Sequence, residues 1–154
     1  MEIRRYRPED WNEVIKLLYD TVHSINSADY TEIQLDAWVP GDMNLPELQN
    51  RLLSTYSVVA EMDSIVVGFG NAASIGYLDC LYTHRDYQRI GVASLIADDI
   101  ENYFYRNGIR SITTDASITA KPFFKNRGYT VISKQNVDCR GQSLINSKMQ
   151  KILL

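Results

Sequence analysis

The sequence predicts a mixed α+β fold, a central and largely antiparallel twisted sheet of about six to seven strands flanked by about four helices. Three observations carry that reading. Residues 57–61 and 65–70 are apolar, β-prone runs separated by a polar Asp63-Ser64 turn, the pattern of a hairpin. Residues 11–22 and 92–104 place apolar side chains at three- and four-residue steps, as an amphipathic helix does. Between Tyr77 and Ala116 the pattern passes from alternating to helical to β-prone. A right-handed crossover should therefore join two parallel neighbours inside the sheet.

Taken in order, residues 3–7 alternate weakly and read as an edge strand. Pro8-Glu9-Asp10 offers a helix start with acidic residues suited to the dipole, and Trp11, Val14, Ile15, Leu18 and Val22 supply the inward stripe. Residues 24–50 carry Asp29, Glu32, Asp36, Asp42 and Glu47 without a Lys or Arg. A short helix is expected there from about Thr31, a possible cap, to Trp38. Its acidity fits either a solvated face or a wall that attracts a protonated amine. Residues 45–54 form the next expected helix, with Leu45, Leu48, Leu52 and Leu53 inward. The second hairpin strand should run on through Ala73, and Ile75-Gly76 turns the chain into residues 77–82. The long helix ends at Asn107-Gly108, where glycine can adopt a left-handed conformation. Residues 111–116 are β-prone, and Ser117 is expected to cap a short helix over 121–127 closed by Gly128. Residues 129–136 and 144–153 are the last strands, turning at Arg140-Gly141.

Composition narrows the function classes. The 154 residues suit one domain spanning 1–154 with a real core. A net charge of −3 gives no basic face for nucleic acid. No apolar run reaches the roughly 18 residues of a membrane span, and residues 1–6 lack a signal peptide's apolar core. Cys80 and Cys139 imply no disulfide framework, and the spacing of His and Cys suggests no metal site. The expectation is a cytoplasmic monomer or homodimer without membrane or nucleic-acid partners.

Residues 77–95 organise the chain. A strand leads through the polar turn 84–87 into Gln88-Arg89-Ile90-Gly91-Val92-Ala93 at the mouth of a helix. Glycine there admits a ligand close to the backbone, and the unpaired N–H groups and positive dipole of the first turn attract an anion such as phosphate. On spacing alone, an anion cradle and an ordinary turn are equally open readings.

The same residues carry a resemblance. Gln88-Arg89-Ile90-Gly91-Val92-Ala93 resembles the Gln/Arg-x-x-Gly-x-Gly/Ala signature of the GNAT (Gcn5-related) N-acetyltransferases. Ala120-Lys121-Pro122-Phe123-Phe124-Lys125-Asn126-Arg127-Gly128-Tyr129 is similar to the family's later Ala-x-x-x-(Phe/Tyr)-x-x-x-Gly-(Phe/Tyr) segment. Tyr30-Thr31-Glu32-Ile33-Gln34-Leu35-Asp36-Ala37-Trp38 is similar to a segment of a small bacterial, YafP-like branch. The resemblance covers nearly the whole chain. It implies the GNAT fold and an acetyl-CoA-dependent N-acetyltransferase, in which a small-molecule amine attacks the thioester directly. A non-catalytic acyl-CoA sensor and a protein or peptide N-acetyltransferase are the competing readings.

On that resemblance the coenzyme's diphosphate sits on the backbone of Arg89, Ile90, Gly91, Val92, Ala93 and Ser94, with Gln88 opening the motif. The pantetheine arm pairs with the exposed edge of Leu81, Tyr82 and Thr83, and Phe124 and Lys125 meet other parts of the coenzyme. The family often draws the acid for the leaving thiolate from a tyrosine in its later motif, where this chain has Phe124, and Ser117 stands where an Asn is common. The substitutes are Tyr82, then Ser117 or Tyr30. Asp79 is the candidate base, since a carboxylate on a central strand is costly to bury without a partner or purpose. A structural hydrogen bond is its equal alternative. Tyr30, Gln34, Trp38 and Asp79 are the expected acceptor-site residues.

Overall fold

Three tight hairpins and one crossover build most of the sheet. A computed structural model, which describes residues 1–154, contains β1 (Glu2–Arg5), β2 (Tyr56–Met62), β3 (Ile65–Ala73), β4 (Tyr77–Thr83), β5 (Ser111–Ser117), β6 (Thr130–Cys139) and β7 (Gln142–Ile152). They form one seven-stranded sheet in the order β1-β2-β3-β4-β5-β7-β6. Every neighbouring pair is antiparallel except β4 and β5, which run parallel. The β2–β3 turn puts Asp63 and Ser64 at φ 52° and 65°, and the β6–β7 turn puts Arg140 and Gly141 at φ 47° and 84°. Such left-handed pairs match the twist of a hairpin. The last two strands are longer than the sequence suggested, because residues 137–139 and 142–143 join the ladder.

Five α-helices cover the two faces: α1 (Trp11–Ser24), α2 (Glu32–Trp38), α3 (Pro46–Ser54), α4 (Val92–Arg106) and α5 (Lys121–Asn126). On one face α1, α2 and α3 bury Val14, Leu18, Leu35, Leu48 and Leu52 against Val59 and Phe69 of the sheet. On the other, α4 and α5 bury Ile96, Phe104 and Phe124 against Val58, Ile112 and Met149. Gly70 of β3 lets α4 settle closely, since a Cβ there would lie 2.9 Å from Ile96 Cγ2 and 2.7 Å from the Cys80 carbonyl. No helix is long and apolar enough to cross a membrane.

Local chemistry explains most boundaries and some departures. Thr31 caps α2 through a reciprocal pair: its Oγ1 accepts from the Gln34 N–H (3.3 Å), and Gln34 Oε1 accepts from the Thr31 N–H (2.9 Å). Leu53, expected inward, is 53% exposed because the phase of α3 turns Leu48 and Leu52 to the core. Ser117 is the last residue of β5 rather than a helix cap. Its Oγ accepts from the Ala120 N–H (3.0 Å), bracing the turn before α5.

Candidate active site

The parallel pair β4–β5 is stitched only at its start. Tyr77 pairs with Thr113 and Leu78 with Thr114, and the strands then part. The buried Thr114 hydroxyl donates to the Leu78 carbonyl (2.8 Å) at the last stitch. Beyond it, β4 keeps β3 on one side and β5 keeps β7 on the other, so a slit opens in the middle of the sheet. A bulge sits at its head. Asn71 pairs with Cys80 and Ala72 with Leu78, which leaves Asp79 as the extra residue. Leu78 consequently faces the α4 core and Cys80 the α1 core. Asn71, fully buried, holds this kink by accepting from the Cys80 N–H (3.0 Å) and donating to Asp79 Oδ2 (2.9 Å).

The cradle lies at the open end of the slit. Arg89 and Gly91 take left-handed φ values of 60° and 93°, and the space around a Cβ at Gly91 is open to 4 Å. No backbone N–H from residue 88 to 94 meets an acceptor within the protein; the first helical bond is Leu95 N–H to the Gly91 carbonyl (3.0 Å). These donors stand at the positive end of a 15-residue helix. The Gln88 side chain turns inward, donating to the carbonyls of Thr83 (2.9 Å) and His84 (3.2 Å), and so braces the loop. Thr21 also donates to the Thr83 carbonyl (2.8 Å). That carbonyl is thereby occupied, while Leu81 and Tyr82 border the slit.

On the α1 side of the slit an aromatic wall gathers. Tyr82 stacks on Phe69 with ring centroids 5.6 Å apart and meets Trp38 edge-on at 6.5 Å; Trp38 meets Tyr30 at 5.2 Å. Burial pushes the Tyr82 phenol well above its ordinary range, and it donates its proton to no protein acceptor. Tyr30 differs: its hydroxyl donates to the Ile145 carbonyl (2.6 Å) and accepts from the Ile118 N–H (3.0 Å). That phenol ties β7 to the exit of β5 and has no proton free for catalysis. Asp79 is engaged as well, by Arg51 Nε (3.0 Å) and Asn71, so it is an ion-paired carboxylate rather than a free base. Gln34 donates to the Ser143 carbonyl (2.9 Å), and Arg140 reaches back to the Ala37 carbonyl (2.7 Å). With Tyr30, these bonds fasten α2 to the β6–β7 hairpin. Two of the five carboxylates of residues 24–50 accept hydrogen bonds within the protein: Asp29 accepts from Thr119, and Asp42 accepts from the Asn44 N–H.

On the α4 side, Phe124 does not face a ligand groove. The phase of α5 buries it against Tyr129 (centroids 5.0 Å), while Lys125 is exposed. Instead Ser94, Phe123, Asn126, Arg127 and Lys151 line an open groove of about 490 Å³ beside the start of α4. Its cations are anchored by Glu101, which accepts from Arg127 (3.0 and 3.2 Å), Lys151 (3.0 Å) and Tyr129 (2.9 Å). Burial alone would raise the Glu101 pKa, but the bonds from Arg127, Lys151 and Tyr129 outweigh it and hold the carboxyl below its usual range. Arg51, Arg127 and Lys151 were not among the sequence candidates. Arg127 lay within a quoted motif, whereas Arg51 and Lys151 gave no signal in spacing.

Comparison with known proteins agrees with this geometry. The family described as acetyltransferase (GNAT) domain matches residues 26–152. The Escherichia coli (strain K12) protein called uncharacterized N-acetyltransferase YafP is 31% identical over 153 residues, 97% of this chain and 95% of that one. A GCN5-related N-acetyltransferase crystal structure from Rhodopseudomonas palustris superposes with a TM-score of 0.95 at 29% identity, covering 99% of this chain and 95% of that one. The fold is shared also with the PaiA N-acetyltransferase of Thermoplasma acidophilum, solved with coenzyme A (TM-score 0.79, 18% identity, 98% of each chain). A partnerless run of amides at the mouth of a helix, opening onto a split parallel pair, is thus set in a chain that belongs to the GNAT acetyltransferase family.

Proposed function

We propose that this acetyltransferase moves the acetyl group of acetyl-CoA to the amine of a small molecule. The observation that carries the reading is the run of unpaired N–H groups at residues 88–94 leading directly into the slit between β4 and β5. Those amides bind the diphosphate, and the edge of Leu81 and Tyr82 aligns the pantetheine arm. Acetyl-CoA supplies the thioester that the amine attacks. Tyr82, a phenol protonated at neutral pH, donates its proton to the departing thiolate, and the proton released by the attacking nitrogen restores it. Asp79, held by Arg51 and Asn71, keeps the bulge in place and so orients the strand edge beside the thioester.

A small acceptor is favoured by the three bonds that fasten α2 to the β6–β7 hairpin, since an extended peptide needs an open path between those elements. Two free thiols suit a reducing, cytoplasmic setting. The test is coenzyme A release with a panel of small amines and with peptides. Small amines should be acetylated and peptides not. Tyr82→Phe should lower kcat by about 100-fold with acetyl-CoA affinity unchanged. Tight acetyl-CoA binding without turnover of any amine would contradict the reading and favour a sensor.

A further inference from the structure

We infer that Tyr77 and Asp115, at the closed end of the slit, receive the acceptor as an ammonium cation, which gives one proton to solvent at the exposed Asp115 before its nitrogen attacks the thioester. The inference rests on the amine-acetylating reading above and assigns a specificity-determining pair within it. Leu78 of β4 and Ile112 and Ala116 of β5 pack into the α4 core. Alternation therefore turns Tyr77 and Asp115 to the opposite face, the one that carries Tyr82 and Trp38. Asp115 lies one residue past the last stitched pair, Leu78 and Thr114.

Hydrogen-bond accounting gives the site its sign. The Tyr77 hydroxyl donates to Asp115 Oδ2 (2.8 Å), and Gln135 Nε2 donates to Oδ1 (2.7 Å). Both donors are neutral. Asp10 is paired with Arg4, Asp79 with Arg51, and Glu101 with Arg127 and Lys151. Asp115 has no such cation, although Lys148 stands directly across from it on β7. Burial, then Asp115 itself, raises the Tyr77 pKa well above its ordinary value, so the hydroxyl keeps the hydrogen it gives to the carboxylate. What remains on both groups is acceptor capacity. Asn146, the cross-strand neighbour of Ser117 and Gln135, adds a buried Oδ1 that no protein donor reaches. A carboxylate that no cation pairs, beside an unmet carbonyl oxygen, suits an ammonium group, which offers three donors and no acceptor.

The test compares butylamine, a cation at pH 7.5, with aniline, which is neutral there. Asp115→Asn keeps the shape and an acceptor for Tyr77 while removing the charge. It should raise KM for butylamine by about tenfold or more, with kcat nearly unchanged, aniline kinetics unaltered and acetyl-CoA affinity intact. An unchanged butylamine KM, or equal losses for both amines, overturns the pair's role. Should the wild type turn over neither amine, the functional reading rests on the wider amine panel, and an NMR titration of the coenzyme A-loaded protein with butylamine decides the cation site by itself. Saturable binding that weakens in Asp115→Asn supports it. No binding, or equal binding by wild type and variant, overturns it.

Discussion

Gly91 and Gly108 form a matched pair for isolating the cradle. Both have left-handed backbone, at φ 93° and 77°, and at both a Cβ would meet nothing within 4 Å. Gly91 precedes α4 and Gly108 follows it, a separation of roughly 22 Å for a helix of this length. Alanine at either position therefore costs backbone strain alone, about 1–2 kcal/mol, a fall in Tm of roughly 2–8 °C for a chain of this size. The two substitutions should differ in coenzyme binding. A methyl group at Gly91 enters the space over the partnerless amides and should weaken acetyl-CoA binding by at least about tenfold, or about 1.4 kcal/mol; Gly108→Ala should leave it unchanged. Thermal denaturation reads the first effect and calorimetric titration the second. Equal Tm losses with unequal affinities is the expected outcome. Equal affinities would refute the assignment of these amides to the coenzyme.

Two further predictions concern stability. Glu101→Gln leaves Arg127 and Lys151 beside a neutral group and should cost about 2–3 kcal/mol, with Asp98 and partial solvation softening the loss. Because folding lowers the Glu101 pKa, its contribution is complete above an unfolded carboxyl's value, about 4.3, and fades as pH falls through the folded value. The gap between wild type and variant in urea unfolding should therefore narrow in acid, and a gap independent of pH would contradict the ion-pair account. Gly70→Ala forces a Cβ to 2.7 Å from the Cys80 carbonyl and 2.9 Å from Ile96. It should cost about 1–3 kcal/mol by overpacking, measured by the same unfolding curves; an unchanged midpoint would show that α4 is not seated as closely as described.

Much of this was legible in the residues. The hairpin turns, the crossover and the glycine at the mouth of α4 are written in local chemistry, and two motifs oriented the whole. What stayed hidden depends on partners distant in the chain. The Asp79 bulge is held by the Asn71 side chain, which no alternation pattern records. The Tyr30 phenol is committed to Ile145, 115 residues away, and Asp79 to Arg51, 28 residues away. The role of Phe124 turned on the rotational phase of a six-residue helix, too short for its sequence to fix which aromatic faces inward. The Tyr77–Asp115 contact needed the parallel register of β4 and β5.

The most direct measurement is the amide NMR spectrum of the protein titrated with acetyl-CoA. Amides of residues 88–94 should shift together and gain protection from solvent exchange, with those of Leu81 and Tyr82 following along the slit. Saturable binding that leaves these amides unmoved and shifts a different surface would contradict the cradle and the slit together.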